Sequence, residues 1–128
     1  MKLLLDTHAL LWWFADDRHM SATCRRLIAD PANEVLLSAA SVLEIVTKHR
    51  LGKLPEAGDL LERLEHYIDQ SRLVRLSIST RHAHLAAALT IDHRDPFDRL
   101  LIAQGLIEQI PILTVDPVLK AAGVEVIW

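Results

Sequence analysis

The chain has 128 residues, of which 51% are hydrophobic and 24% charged, with a formal net charge of −3, four glycines and one cysteine. This composition suits a single folded domain over residues 1–128 and not a disordered chain, and the lone cysteine excludes an internal disulfide or a cysteine-based zinc site. Because the sequence contains no apolar run of membrane-spanning length and no glycine-rich phosphate loop, we expect a cytoplasmic protein that is neither a membrane protein nor a nucleotide-cofactor enzyme.

Short apolar runs alternate with segments of helical spacing along the chain. The predicted strands are residues 2–5, 35–38, 73–76, 112–115 and 124–127, and the predicted helices are residues 7–15, 21–29, 39–51, 57–70, 79–88 and 96–109. Strands that alternate with helices favour a parallel sheet with helices on both faces. We therefore predict a doubly wound α/β domain of about five strands in the order 3-2-1-4-5, with its functional site beyond the carboxyl ends of the strands.

Two aspartates directly follow predicted strands. Asp6 stands between the first strand and the first helix, and Asp116 follows the fourth strand ahead of Pro117, a residue suited to the first position of a helix. Both positions suit a helix N-cap, because an aspartate side chain accepts hydrogen bonds from the free amides of the first turn. The same place also suits a functional carboxylate, so both roles stay open.

A third acid, Glu44, lies inside the predicted helix 39–51 on a row of small and polar side chains. We expect most of the buried surface of this helix to come from its apolar residues, which are Val42, Leu43, Ile45 and Val46. An exposed ion pair between Glu44 and Lys48, one helical turn apart, is the simpler interpretation. The functional interpretation is a carboxylate directed into a crevice at the end of the second strand.

The segment 93–104 contains two further acids, Asp95 and Asp98. Asp95 precedes a proline at the predicted start of a helix, which favours a capping or supporting role. Asp98 shares its helix face with Leu101 and Ile102, which should pack on the sheet. Since a carboxylate on such a face is costly unless something binds it, we predict a functional role for Asp98.

Four acids thus lie at the ends of separate strand–helix units: Asp6, Glu44, Asp98 and Asp116. In the predicted strand order the first, second and fourth strands are neighbours, so these acids can converge where the order reverses. Clustered carboxylates without histidine or cysteine ligands suit a hard cation such as Mg²⁺ or Mn²⁺. Such ions activate water and stabilise charge in phosphodiester cleavage.

The motifs of the chain resemble those of PIN-domain ribonucleases and, among them, the VapC-type toxins of bacterial type II toxin–antitoxin pairs. The resemblance is carried by LLLDTHALLW at residues 3–12, SAASVLEI at 38–45, KHRLGKL at 48–54 and DPFDRLLIAQ at 95–104. It implies a Mg²⁺- or Mn²⁺-dependent endoribonuclease that forms a homodimer and is inhibited by a small antitoxin.

The same resemblance implies roles for individual residues of this chain. The metal-binding catalytic acids would be Asp6, Glu44 and Asp98, with Asp116 as a fourth. Thr7, Asp95 and Thr114 would support them. Basic residues near these acids are candidates for RNA phosphate contacts, although positive charge also suits the end of a helix. These candidates are Lys48, His49, Arg50, Lys53, Arg94 and Arg99, while His8 and His93 flank acid positions.

Three alternatives stay open at this point. A haloacid-dehalogenase-like phosphatase also has an aspartate after its first strand, but it requires a second one two residues later, where this chain has His8. A non-catalytic RNA-binding module would gain nothing from concentrated negative charge. A PIN nuclease of RNA processing would share the same acids, and a neighbouring antitoxin gene would distinguish the toxin from it.

Overall fold

The computed structural model describes residues 1–128 and contains one parallel sheet with a hydrophobic core on each face. The strands are β1 (Lys2–Leu5), β2 (Glu34–Ser38), β3 (Val74–Leu76), β4 (Ile112–Leu113) and β5 (Val126–Ile127). The helices are α1 (Thr7–Ala15), α2 (Ala22–Ala29), α3 (Ala39–Arg50), α4 (Gly58–Glu62), α5 (Leu64–Gln70), α6 (Thr80–Ala88), α7 (Pro96–Glu108) and α8 (Pro117–Ala121), with a 3₁₀ turn at Pro55–Ala57. The five strands lie in the order β3-β2-β1-β4-β5, which confirms the predicted topology.

The central strand β1 is buried on both sides, and its three leucines Leu3, Leu4 and Leu5 are fully buried. Because successive side chains of a strand point to opposite faces, Leu3 and Leu5 join the core formed with α1, α2, α3 and α5. Leu4 joins the second core, formed with α7 and α8. A strand covered on both faces therefore requires a continuous apolar run.

The strand order reverses at β1, which pairs with β2 on one side and with β4 on the other. Helix α7 covers this region closely: Leu101 and Ile102 are fully buried, and a Cβ atom at Gly105 would lie 2.6 Å from Val124 Cγ2. A helix that connects parallel strands runs back along the sheet, so α7 begins at the carboxyl ends of the strands. The start of α7 is thereby placed beside the ends of β1 and β2.

Several predicted element bounds differ from the structure. The predicted helix 57–70 is divided at Arg63, whose backbone leaves the helical region with φ −126° and ψ 21°. This break lets residues of both short helices pack on the same core. The predicted fourth strand ends early because Val115 is 54% exposed, and the short helix α8 follows it. The longest helix, α7, has 13 residues, and no helix combines the length and apolarity needed to cross a bilayer.

Helix α3 is rotated relative to the expectation from its sequence. Leu43 and Val46 are 55% and 45% exposed, so the prediction that they are buried is wrong. The buried positions of α3 are Ala40, Ser41, Glu44 and Ile45. This row faces the interior because α3 contacts both α1 and α7, and the small side chains of Ala40 and Ser41 allow the helices to approach closely.

Candidate active site

The first strand places Asp6 at the edge of the sheet where the strand order reverses. Asp6 follows β1 directly, and its Oδ1 accepts a hydrogen bond from the Ala9 amide at 2.6 Å, which caps α1. The residue is nevertheless 7% exposed, which is unusual for a carboxylate. The capping bond uses only Oδ1, so Oδ2 of Asp6 takes no part in the cap.

The second strand leads into α3, which carries Glu44 into the interior, where the residue is 3% exposed. Thr7 Oγ1 donates a hydrogen bond to Glu44 Oε1 at 2.6 Å and lies 3.1 Å from Ser41 Oγ. The Lys48 ammonium pairs with Glu44 Oε2. An ordinary surface ion pair is thus excluded, because the Glu44 carboxylate is buried and tied to the start of α1.

The third acid, Asp98, lies in the first turn of α7. Asp95 caps this helix, since its Oδ1 accepts hydrogen bonds from the amides of Phe97 at 2.9 Å and Asp98 at 3.2 Å. The His93 ring donates from Nε2 to Asp98 Oδ2 at 2.7 Å. Asp95 therefore has the predicted capping geometry, and the Asp98 side chain, 22% exposed, is held by the loop that precedes α7.

Burial raises the pKa of Asp6 above its ordinary value, because desolvation disfavours the charged carboxylate. The Thr114 hydroxyl, the Ala9 amide and the charge of His8 stabilise the anion and act in the opposite direction. The negative charge of Asp98 adds to the increase. The carboxylates of Asp6 and Asp98 are therefore close enough to repel each other.

The pKa of Asp98 is raised as well, again chiefly by burial. The hydrogen bond from His93 lowers it, whereas the charges of Asp95 and Glu44 raise it further. Asp98 thus interacts with both of the other acids at the strand ends. We call Asp6, Glu44 and Asp98 the acid cluster.

One lysine, Lys48, pairs with the acid cluster through Glu44. Burial tends to lower the pKa of Lys48, but the hydrogen bond from its ammonium to Glu44 and the charges of Glu44, Asp95 and Asp98 raise it above the ordinary value. Its ammonium is thus held inside the site by carboxylates. This position differs from the RNA contact predicted for Lys48, because the ammonium is already paired within the chain.

Three of the other predicted RNA-binding residues, Arg50, Lys53 and Arg94, have exposed side chains. They make no side-chain hydrogen bond or ion pair within the protein, so their charges stay available. His49 is half-buried and lies against the backbone of Gly58, where an added Cβ would be 3.2 Å from its Nε2. Arg50 and Lys53 follow the acid-bearing part of α3, and Arg94 precedes α7.

The Arg99 guanidinium, another predicted RNA contact, is bonded to the backbone. It donates five hydrogen bonds, to the carbonyl oxygens of Ala86, Ala87, Leu89, Ile91 and His93, at distances from 2.6 to 3.3 Å. An arginine has no further N–H donors. Arg99 therefore holds the end of α6 and the loop before α7.

Asp116, the predicted fourth acid, stands directly before α8. Its Oδ1 accepts a hydrogen bond from the Val118 amide at 2.9 Å and caps α8. Its own amide donates to Thr114 Oγ1 at 3.0 Å. Thr114 is 2% exposed, and its hydroxyl lowers the pKa of Asp6.

The chemistry of the acid cluster suits a hard divalent cation. Its carboxylates are oxygen ligands of the kind that Mg²⁺ and Mn²⁺ prefer, and burial raises the pKa of Asp6 and of Asp98 because it disfavours their negative charge. No three His, Cys, Asp or Glu side chains converge on one point in the present rotamers. Lys48 pairs with one oxygen of Glu44 and His93 with one oxygen of Asp98, so a cation that binds these oxygens must displace the two side chains.

Sequence reasoning did not find the contact of Ser41 with Thr7 or the hydrogen bond from His93 to Asp98. The position of Ser41 could have indicated its contact, because this small residue lies one helical turn before Glu44 on the same face of the helix. The bond between His93 and Asp98 depends on how the loop before α7 folds back, which no spacing rule describes.

These observations define the class of protein: a doubly wound α/β domain with three interacting carboxylates where its strand order reverses. The PIN domain family matches residues 3–125, and the chain belongs to this family. The resemblance of its motifs to PIN domains is thereby confirmed. No curated protein sequence matches the chain.

Solved structures share this fold over nearly the full length of the chain. One chain of VapBC2 from Rickettsia felis bound to a promoter DNA fragment has a TM-score of 0.71 at 13% identity, covering 100% of this chain and 99% of that one. FitAcB from Neisseria gonorrhoeae has a TM-score of 0.67 at 23% identity, and the match covers 98% of this chain and 96% of that one. A toxin–antitoxin complex from Klebsiella pneumoniae has a TM-score of 0.66 at 17% identity, and the match covers 98% of this chain and 96% of that one. At these identities the likeness shows a shared fold.

Proposed function

We propose that this protein is a metal-dependent endoribonuclease that acts as the toxin of a type II toxin–antitoxin pair. The observation that carries the proposal is the acid cluster of Asp6, Glu44 and Asp98 at the point of a PIN domain where the strand order reverses. Carboxylates buried this close together are costly to folding and are retained where they bind a cation.

In this proposal Asp6, Glu44 and Asp98 hold Mg²⁺ or Mn²⁺. When bound, such an ion activates water and stabilises the charge that develops on a phosphodiester during cleavage. The protein itself positions the ligands: Thr7 orients Glu44 through the 2.6 Å hydrogen bond, and the cap by Asp95 fixes the first turn of α7 around Asp98. Asp116 lies outside this set.

Substrate binding in the proposal uses the exposed cations beside the acid cluster, Arg50, Lys53 and Arg94. Their charge can offset the repulsion between the acids and RNA phosphates, which a protein of net charge −3 does not offset as a whole. RNA that is single-stranded or looped suits such a site, because its backbone can bend into the crevice.

The partners in the proposal are a small antitoxin and a second copy of the chain, and the site of action is the cytoplasm, where cellular RNA is accessible. Support for the antitoxin comes from the shared fold, since the similar structures include VapBC from Salmonella typhimurium and the toxin–antitoxin complex from Klebsiella pneumoniae.

The test combines cleavage with toxicity. Purified protein should cut RNA in Mg²⁺ or Mn²⁺ and stop in EDTA, and induced expression should arrest growth unless the adjacent small gene is co-expressed. Asp92→Asn serves as the control for Asp98→Asn, because Asp92 is an exposed acid in the loop that precedes α7. Cleavage that persists in EDTA contradicts the metal assignment, and cleavage without growth arrest favours a PIN nuclease of RNA processing.

A further inference from the structure

Lys48 supplies positive charge inside the acid cluster. Its ammonium pairs with Oε2 of Glu44, whose side chain is 4% exposed, while the Lys48 side chain is 34% exposed. The charges of Asp95 and Asp98 act on the same ammonium. Lys48 is therefore placed where negative charge from α3 and α7 overlaps, with its stem still reaching solvent.

A second lysine–glutamate pair of this chain shows how unusual this arrangement is. Lys2 Nζ and Glu34 Oε2 are 4.0 Å apart, and their side chains are 61% and 45% exposed. Such surface pairs contribute little to stability because water screens both charges. A buried carboxylate such as Glu44, in contrast, is strongly destabilising when its partner is removed.

Both oxygens of Glu44 have donors, Thr7 at Oε1 and Lys48 at Oε2. A divalent cation that binds Glu44 approaches the same carboxylate as the ammonium, and the two positive charges repel each other. Lysine is a point charge on a flexible stem of four carbons, so Lys48 can turn outward without a change in the backbone. Thr7 carries no charge and can stay in place.

We propose that the Lys48 ammonium is an internal counter-ion that neutralises the acid cluster in the metal-free protein and is displaced when a divalent cation binds. The inference rests on the proposed function in that the cation belongs to that function. It implies that Lys48 stabilises the metal-free fold and weakens metal binding at the same time. A residue that only positions Glu44 for the metal would strengthen metal binding instead. Removing Lys48 therefore changes the metal affinity in opposite directions under the two roles.

The experiment compares Lys48→Met, which keeps the length of the side chain and removes its charge, with the matched control Lys2→Met. Calorimetric titration with Mn²⁺ measures affinity, and thermal unfolding in EDTA measures metal-free stability. We expect Lys48→Met to bind Mn²⁺ on the order of tenfold more tightly, because a nearby competing charge is removed. It should also melt at a lower temperature than wild type in EDTA, whereas Lys2→Met should match wild type in both measurements.

A second measurement uses the unmodified protein and does not depend on the folding of a variant. The Lys48 ammonium protons, followed by NMR, should exchange with water faster once Mg²⁺ is added, because the hydrogen bond to Glu44 is lost. Mg²⁺ binding that leaves the Lys48 signal unchanged overturns the inference. The inference is also overturned if Lys48→Met binds Mn²⁺ no more tightly than the wild type does. It is overturned as well if neither protein binds Mn²⁺.

These readouts are independent of RNA cleavage. If Mn²⁺ binding depends on Lys48 as expected but no RNA is cut, the proposed function fails and the counter-ion role stands. If RNA is cut and Lys48→Met binds Mn²⁺ like wild type, the counter-ion role fails and the proposed function stands.

Discussion

Asp6 and Asp116 have the same local position in two strand–helix units, and yet their surroundings differ. Asp6 accepts from the Ala9 amide at 2.6 Å and Asp116 from the Val118 amide at 2.9 Å, so each caps the helix that follows. Asp6 is buried at the end of the central strand and interacts with Asp98, whereas the capping bond of Asp116 is exposed. A capping motif is thus local, but the chemistry of its carboxylate depends on which strand precedes it.

Arg94 and Arg99 show the same contrast on the other side of the site. Arg94 is exposed, whereas Arg99 donates all five of its N–H groups to backbone carbonyls of α6 and the following loop. One of these carbonyls belongs to His93, which in turn donates to Asp98. Two arginines five positions apart therefore serve different purposes.

The largest expected difference between the two aspartates is in catalysis. Asp6→Asn, Glu44→Gln and Asp98→Asn should each lower kcat/KM for RNA cleavage by about 100-fold or more, because groups that stabilise transition-state charge are worth several kcal/mol. Asp116→Asn should stay within about threefold of wild type, since asparagine caps a helix comparably. Initial cleavage rates, with circular dichroism to verify folding, decide this. A comparable loss of kcat/KM in Asp116→Asn would show that Asp116 is part of the active site.

The next largest expected effect is a loss of folding stability when Arg99 is substituted. Arg99→Lys should lower the free energy of unfolding by about 2–3 kcal/mol, because a lysine cannot supply the planar fork that satisfies these carbonyls. Arg94→Lys should change it by less than about 0.5 kcal/mol, as expected for an exposed residue. Urea unfolding of both variants measures the difference. Equal stabilities would show that the hydrogen bonds of Arg99 contribute nothing net.

A smaller effect should depend on pH. Because the folded-state pKa of Asp98 is raised, its ionisation destabilises the fold as pH rises from the unfolded-state pKa through the folded-state pKa. In EDTA, Asp98→Asn should therefore melt above wild type by about 3 °C at neutral pH, for roughly 1 kcal/mol, and the difference should shrink towards pH 4. Calorimetry across this range tests the sign. A difference that grows on acidification would contradict it, and Mn²⁺ should stabilise wild type more than the variant.

The smallest expected effect concerns the cap of α8. Asp116→Ala should lower the free energy of unfolding by about 1 kcal/mol, and Asp116→Asn by only a few tenths, because asparagine retains an acceptor for the Val118 amide. Thermal unfolding in EDTA and in Mn²⁺ should give the same difference for each variant. A stability loss that appears only with Mn²⁺ present would instead identify Asp116 as a metal ligand.

Prediction from the sequence failed where a residue could face either of two environments. Helix α3 has apolar residues on more than one face, so its pattern did not show that Leu43 and Val46 would be exposed and Glu44 buried. The sequence likewise did not show that Arg99 donates its five N–H groups to backbone carbonyls, because a basic residue beside an acid motif looks the same whether or not it makes such bonds. Both outcomes depend on contacts between elements distant in the chain.

The sequence by itself determined the alternation of strands and helices, the helix caps at Asp6 and Asp95 and the family, because apolar periodicity, capping and the family motifs are local properties of the chain. Only the tertiary structure decided which carboxylates interact and what neutralises them. Burial, the raised pKa values of Asp6 and Asp98 and the pairing of Lys48 with Glu44 arise from the approach of α1, α3 and α7. The reason is physical, since electrostatic energy depends on distance and desolvation, which are set when separate elements pack together.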